Sequence, residues 1–354
     1  MQNVRDGSPL KLGLIGCGIA AHDLHWPALR QMPDRFRVTA LCNRTLAKAE
    51  ALADLIESEG RQKVAVVANV HELLSMEELD AVSILLPIEW NKVVAPAAAA
   101  AGKHVLMEKP LAESLDHAAA LCRLEEEYPD LVMMVGENFR YRPAARALAR
   151  VIREGRIGTP YHVECRSWQW VAPETSKYAR TSWRINHAYE GGFVSDGGVH
   201  FIAQLRSIVG DLEILGATSS SVNPGIGRTD TLTALFRTEA QQELPSLTGV
   251  LALGFSVHGM QEDSIRILGS SGSAKIERGV LAVYGDTPED VVLQEDHPDD
   301  GGFSAEYEDF HRAITTGSTP ASTVRKAYGD LETVLTALDL CNRNDGAGIL
   351  RAHR

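Results

Sequence analysis

In the first third of the chain, short unbroken apolar runs alternate with stretches of helical spacing. KLGLI (Lys11 to Ile15), RVTALC (Arg37 to Cys42), KVAVV, AVSILL, HVLM (His104 to Met107) and LVMMV read as strands. Between them lie a helical pattern through Leu24, Ala28 and Leu29, the helix TLAKAEALADLI, an Ala-rich helix and SLDHAAALCRLEEE. Runs with little alternation are covered on both faces, as in a parallel sheet flanked by helices. Right-handed crossovers make this a doubly wound, Rossmann-type domain over residues 1–136. The fold class is α/β.

After Gly136 the pattern changes. A helix is predicted over about Tyr141 to Glu154, followed by longer strands: TPYHVECRSWQW, LEILGATSSSV, TLTALFRT, SLTGVLALGFSV and SIRILG. Several of these alternate polar and apolar residues, as sheets with one covered face do. Helices are predicted again over Ala305 to Thr315 and Val324 to Cys341, and QEDHPDDGG reads as a solvated acidic loop. Residues 137–354 are thus expected to form a second α/β domain.

One helix in this domain stands out. GGFVSDGGVHFIAQL spans Gly191 to Leu205, and Val199, Ile202, Leu205 and Val209 recur at the spacing of a core-facing stripe. Asp196 and His200 sit one turn apart at its start, with glycines around them. Taken alone, the pair reads as a helix cap followed by a satisfied core histidine.

Bulk properties narrow the function classes. The 354 residues are 44% hydrophobic, enough for two domains. The formal charge of −12 disfavours nucleic acid and anionic membranes as partners. Five scattered cysteines suggest neither a disulfide framework nor a zinc site, and point to a reducing cytoplasm. MQNVRDGSPL has no apolar core, so no signal peptide is expected, and VVAPAAAAAGKHVLM is too short and interrupted to span a bilayer.

Chemistry enters at GLIGCGIAA. Gly16, Gly18, Ile19, Ala20 and Ala21 belong to a G-x-G-x-x-A turn that follows the first strand and opens the first helix. In such a turn the first glycine permits the bend, and the second lets a pyrophosphate approach the backbone. The small third residue allows close helix–strand packing. At the tip of the second strand stand Asn43 and Arg44. An acid there would accept from the ribose of NAD. A neutral Asn43 beside a cationic Arg44 favours the extra phosphate of NADP. NAD remains the alternative, with Asn43 on a ribose hydroxyl. The bland reading is that Asn43 or Thr45 caps a helix and Arg44 is a surface residue. Lys109 in HVLMEKPLA lies at the carboxyl end of the fifth strand, the edge that lines the ligand crevice in open α/β sheets.

Together these segments resemble the glucose–fructose oxidoreductase / inositol dehydrogenase / MocA (Gfo/Idh/MocA) family over nearly the whole chain. The segments are GLIGCGIAA, AGKHVLMEKPLAESLDHA, ENFRYRPA and SWR followed by GGFVSDGGVHFIAQLR. The resemblance implies a Rossmann domain followed by a domain with a large open, mostly antiparallel sheet, used for assembly into homodimers or homotetramers. It implies that Lys109, Asp196 and His200 form the catalytic group beside the nicotinamide. It further implies cofactor contacts from Pro87, Asn91, Glu108, Lys109, Asn138, Trp183 and Arg184, with Arg140 and Tyr141 on the segment entering the second domain. Where family members read P-N-x-x-H after the fourth strand, this chain has Pro87-Ile88-Glu89-Trp90-Asn91, so Asn91 replaces the usual histidine.

The residue types suit oxidation of a secondary alcohol. A bound nicotinamide takes the hydride, and a group titrating near working pH takes the proton; histidines start near ~6.5. His200 is the first choice for that role. Lys109 stabilises the developing alkoxide or serves as the base itself, and Asp196 orients imidazole or substrate. The glycines around the pair are read as letting the helix start approach the cofactor ring. Substrate contacts are expected from Lys109, Tyr141, Trp168, Asp196 and His200. The aromatic residues Trp168, Trp170, Tyr178 and Trp183, with Arg180, Arg184, Asn186, His187 and Tyr189, suit a carbohydrate or polyol. No metal is expected. The competing classes are a dinucleotide-sensing regulator without catalysis and an NAD-using glycosidase of similar fold.

Overall fold

The computed structural model describes residues 7–59, 63–174, 176–181, 192–240, 244–298 and 300–346. By internal contacts the chain forms two compact units. The first holds Met1–Asn138 and Gly302–Tyr328, and the second holds Phe139–Gly301 and Gly329–Arg354.

The first unit is built on six parallel strands: β1 (Leu10–Ile15), β2 (Phe36–Cys42), β3 (Ala65–Val67), β4 (Ala81–Ile84), β5 (His104–Glu108) and β6 (Met133–Gly136). Their order is β3-β2-β1-β4-β5-β6, the doubly wound arrangement. The apolar runs follow from this position. All four residues of β4 are buried, as are Leu12 to Ile15 of β1, because helices cover both faces. All the strands run the same way, so the ends of β1, β2, β4 and β5 share one carboxyl edge.

The second unit carries an eight-stranded sheet. Its strands are β7 (Pro160–Trp168), β8 (Leu212–Ser220), β9 (Thr231–Thr238), β10 (Thr248–Gly254), β11 (Glu262–Gly269), β12 (Gly272–Glu277), β13 (Val280–Tyr284) and β14 (Val291–Asp296). The order is β14-β13-β12-β11-β7-β10-β9-β8, antiparallel throughout except for β7 with β10. On β9, Leu232, Ala234, Phe236 and Thr238 are buried, while Leu235 and Arg237 are exposed. The helix Pro143–Arg153 buries Ala144, Ala147, Leu148, Val151 and Ile152, the spacing of one apolar stripe. The helix Gly192–Val209 buries Val199, Ile202, Leu205 and Val209, as its pattern predicts.

Three features differ from the sequence reading. Residues 302–328 return to the first unit, so the second is not one continuous segment from 137 onward. The reason is local packing. The helix Phe303–Thr316 buries Tyr307 and Phe310, whose rings lie 5.6 and 6.2 Å from Phe36 of β2. Strands β12 to β14 were not anticipated, because their short alternating runs carry weak patterns. The acidic stretch read as a loop begins inside β14, where Gln294 and Asp296 are exposed and Glu295 is half-buried. Among the described residues, no helix is long and apolar enough to cross a membrane.

Candidate active site

The two glycines of the first turn are there for different reasons. Gly16 has φ +104°, and a Cβ there would lie 2.4 Å from the Leu85 carbonyl oxygen, so the fold itself demands glycine. Gly18 has no positive φ, and a Cβ there would meet nothing within 4 Å. No described residue fills that space, and a pyrophosphate laid against the backbone fits it. Residues 19–29 are helical, with π geometry over Ala21–His25 and Ala21 buried against the sheet.

Asn43 ties the neighbouring strand tip to this turn. Its Oδ1 accepts from Cys17 N–H at 3.1 Å, and its Nδ2 donates to the Thr45 carbonyl at 2.9 Å. Thr45 occupies the N-cap of the helix Leu46–Ser58 but makes no side-chain cap bond, so the capping reading does not describe this tip. Arg44 is exposed and has no ion-pair or hydrogen-bond partner among the described residues. The residues present therefore suit a dinucleotide: an open glycine for the pyrophosphate, and a free guanidinium at the strand tip.

Further along the same edge, Pro87 precedes the single turn Ile88–Trp90, and Asn91 opens the helix Asn91–Ala100. Asn91 is fully buried, and its Nδ2 points at the carbonyls of Glu108, Pro110 and Leu111, at 2.8, 3.3 and 3.2 Å. It braces the turn behind the half-buried Lys109. The Lys109–Pro110 peptide is cis.

Glu108 is gripped from both sides. Its Oε2 accepts from the Lys109 N–H at 3.1 Å, and its Oε1 lies 2.7 Å from His25 Nε2. With Glu108 as a carboxylate, Nε2 must donate. In a neutral imidazole, Nδ1 then accepts from the Tyr307 hydroxyl at 2.9 Å, and the Tyr307 oxygen accepts from Ser83 Oγ at 3.1 Å. Every proton in this buried line points toward Glu108. Burial pushes the Tyr307 phenol far above its ordinary range, so it stays protonated and available as a donor.

Beside this line sits Glu306, wholly buried, with neither carboxyl oxygen hydrogen-bonded. Desolvation foremost, then the nearby Glu108, Glu137 and Asp309, hold its carboxyl well above the usual range. It therefore keeps its proton well above the pH at which an ordinary carboxyl loses one. Sequence reasoning missed His25, Tyr307 and Glu306. The only local signals were a histidine inside the fingerprint helix and an acid–aromatic pair in a distant one.

In the second unit, Asp196 is buried and His200 half-buried one turn later on the helix Gly192–Val209. The glycines beside them serve packing. A Cβ at Gly197 would stand 3.1 Å from the Phe255 ring, and one at Gly198 would stand 3.0 Å from Leu253 Cδ1. They let the helix lie close on the end of β10.

The segment entering this unit grips the same helix. The Phe139 ring stacks on His200 with centroids 4.4 Å apart and planes 19° apart. Arg140 is buried, donates to the Ala203 carbonyl at 3.3 Å and pairs with Asp330, which also pairs with Arg206. Tyr141 is fully buried in the core, a position that gives substrate little access to it. Asn138 is also buried, and Trp168, the last residue of β7, is partly buried over Gly254. Trp170 is exposed and stacks on His258 at 3.7 Å. Trp183, Arg184, Asn186, His187 and Tyr189 lie outside the described residues. Among the described residues, no three or more His, Cys, Asp or Glu side chains are grouped to hold a metal ion.

Known proteins give this arrangement a context. Residues 10–136 match the profile described as "Oxidoreductase family, NAD-binding Rossmann fold", and residues 145–275 match "GFO/IDH/MocA C-terminal domain". An uncharacterized protein of Saccharomyces cerevisiae is 30% identical over 321 residues, which cover 87% of this chain and 88% of the relative. A D-apiose dehydrogenase of Paraburkholderia graminis is 32% identical over 232 residues, 65% of this chain and 58% of that one. Among solved structures, an oxidoreductase of Thermotoga maritima superposes with a TM-score of 0.83 at 29% identity, covering 94% of this chain and 97% of that one.

Proposed function

Because the chain belongs to the Gfo/Idh/MocA family of oxidoreductases, we propose that it is an NADP-dependent dehydrogenase. Its substrate would be a secondary alcohol of a sugar, sugar derivative or polyol. The observation that carries the reading is the carboxyl edge of the first unit's sheet. There an unobstructed Gly18 is followed along the edge by an unpaired Arg44 and a braced Lys109. NADP is favoured over NAD because Asn43 adds no negative charge at the tip of β2, and Arg44 is free to meet a phosphate. The likeness to a D-apiose dehydrogenase supports a carbohydrate substrate.

A bound nicotinamide supplies the hydride acceptor. The residues supply the rest. His200 takes the proton of the reacting hydroxyl through a ring nitrogen. Lys109 donates a hydrogen bond to the same oxygen as it gains negative charge, and Asp196 orients the imidazole or a neighbouring hydroxyl. In the reductive direction His200 returns the proton. The open face of the eight-stranded sheet, with Leu235 exposed on β9, is the surface for self-association.

The test is a fluorescence titration with NADPH and with NADH, followed by a turnover screen of aldoses, ketoses and inositols with NADP. Tighter NADPH binding, and turnover that His200→Ala lowers at least about 100-fold, support the reading. Failure to bind either nucleotide overturns it.

A further inference from the structure

Residue Phe139 carries two stacked partners. Besides His200 on one side, the Arg142 guanidinium carbon lies 3.3 Å from the Phe139 ring centroid. A guanidinium that close covers a ring face completely. An imidazole 4.4 Å from the same centroid and nearly parallel to it needs the other face. Arg142, Phe139 and His200 therefore form a three-layer stack, entirely within the second unit.

Each layer is fixed from a different element. Arg142 Nη1 donates to Asp263 Oδ2 at 3.0 Å, which anchors the outer layer to β11. Phe139 belongs to the single turn Asn138–Tyr141, and its edge meets Phe201 at 5.4 Å. The adjacent Arg140 binds the Ala203 carbonyl on the helix that carries His200, so the turn cannot slide along that helix.

Resting on the reading of His200 as a proton-transfer group, we propose that Phe139 is a positioning residue for His200, with Arg142 and Asp263 as its buttress. The physical consequence is directional. A histidine moves protons through the edge of its ring, where the nitrogens lie, and stacking occupies a face. The stack removes water from one face, resists rotation about χ2, and leaves both nitrogens in a fixed plane. A reacting hydroxyl then meets the imidazole in one orientation, the kind of pre-alignment that lowers the barrier without tightening ground-state binding.

The test uses the full-length protein with Phe139→Leu, which keeps the bulk and loses the flat face, and Phe139→Tyr, which keeps the face. In histidine-labelled protein, with the His200 signal assigned from His200→Gln, the wild-type ring protons should be shifted upfield by the Phe139 ring current. The shift should vanish in Phe139→Leu and persist in Phe139→Tyr. With the sugar and NADP pair found in the screen, Phe139→Leu should lower kcat about 10- to 100-fold and leave KM for NADP within about threefold. Phe139→Tyr should restore kcat. In a His200→Ala background, Phe139→Leu should cost nothing further, because its effect runs through the imidazole. An unshifted His200 signal overturns the stack. Wild-type kcat in Phe139→Leu, or an undiminished loss in the His200→Ala background, overturns the positioning role alone. Undiminished turnover in His200→Ala itself overturns the catalytic reading of His200, and this inference with it.

Discussion

His25 hydrogen-bonds Glu108 at 2.7 Å through Nε2, joining the middle of the fingerprint helix to the residue before Lys109. The bond links the turn that fits the pyrophosphate to the turn that presents the lysine. Truncation to His25→Ala opens a cavity and leaves a carboxylate oxygen without its buried donor. The expected cost is about 2–4 kcal/mol in urea unfolding of the first unit. Tyr307→Phe removes a bond one step further back and should cost only about 1 kcal/mol. Equal costs for the two changes would contradict the larger packing and hydrogen-bond role assigned to His25.

The two fingerprint glycines should separate in their effects. Gly16→Ala forces a side chain into Leu85 at a left-handed φ, and should destabilise the first unit by more than about 2 kcal/mol. Gly18→Ala meets no atom of the described residues, so thermal unfolding should be unchanged. It should nevertheless weaken nucleotide binding at least about tenfold, or 1.4 kcal/mol. If Gly18→Ala binds NADPH as wild type does, the pyrophosphate does not lie there.

Nucleotide preference should turn on Arg44. Arg44→Ala is expected to weaken NADPH by roughly 10- to 100-fold through loss of a charge-assisted contact, and to leave NADH within about threefold. Paired titrations decide it, since a parallel loss for both nucleotides would place Arg44 on a part they share.

Stability should carry the signature of Glu306. An unfolded glutamate ionises near ~4.3, whereas the folded Glu306 does so well above that. Between those values the unfolded chain holds fewer protons than the folded one, so stability falls as pH rises through the window. Glu306→Gln removes this dependence. The variant should melt above wild type at pH 8, and the gap should close by about pH 4. A gap that widens on acidification would mean that Glu306 is ionised and paired in the fold.

Local pattern was enough to read β1 to β6 and the G-x-G-x-x-A turn, because a both-sides-buried strand and a glycine bend are written in adjacent residues. The helix holding Asp196 and His200 was legible for the same reason. What surrounds those residues was not. His25 and Tyr307 are 282 positions apart, and no periodicity announces that they meet. Asn91 was expected at the cofactor, from its place in a family motif. Its burial and its three carbonyl partners make it a brace, a role that depends on where the chain turns at Pro110. The packing of Gly197 and Gly198 was not legible either, since the neighbours they accommodate, Phe255 and Leu253, lie at the end of β10 and just beyond it.

The return of residues 302–328 to the first unit sets an order of events during synthesis. Phe36 on β2 leaves the ribosome early, but the Tyr307 and Phe310 rings that cover it arrive only after the whole eight-stranded sheet has been made. At roughly 5–20 residues per second, the nascent sheet waits some tens of seconds with an apolar face uncovered. A gene fragment ending after β6 would never leave that state.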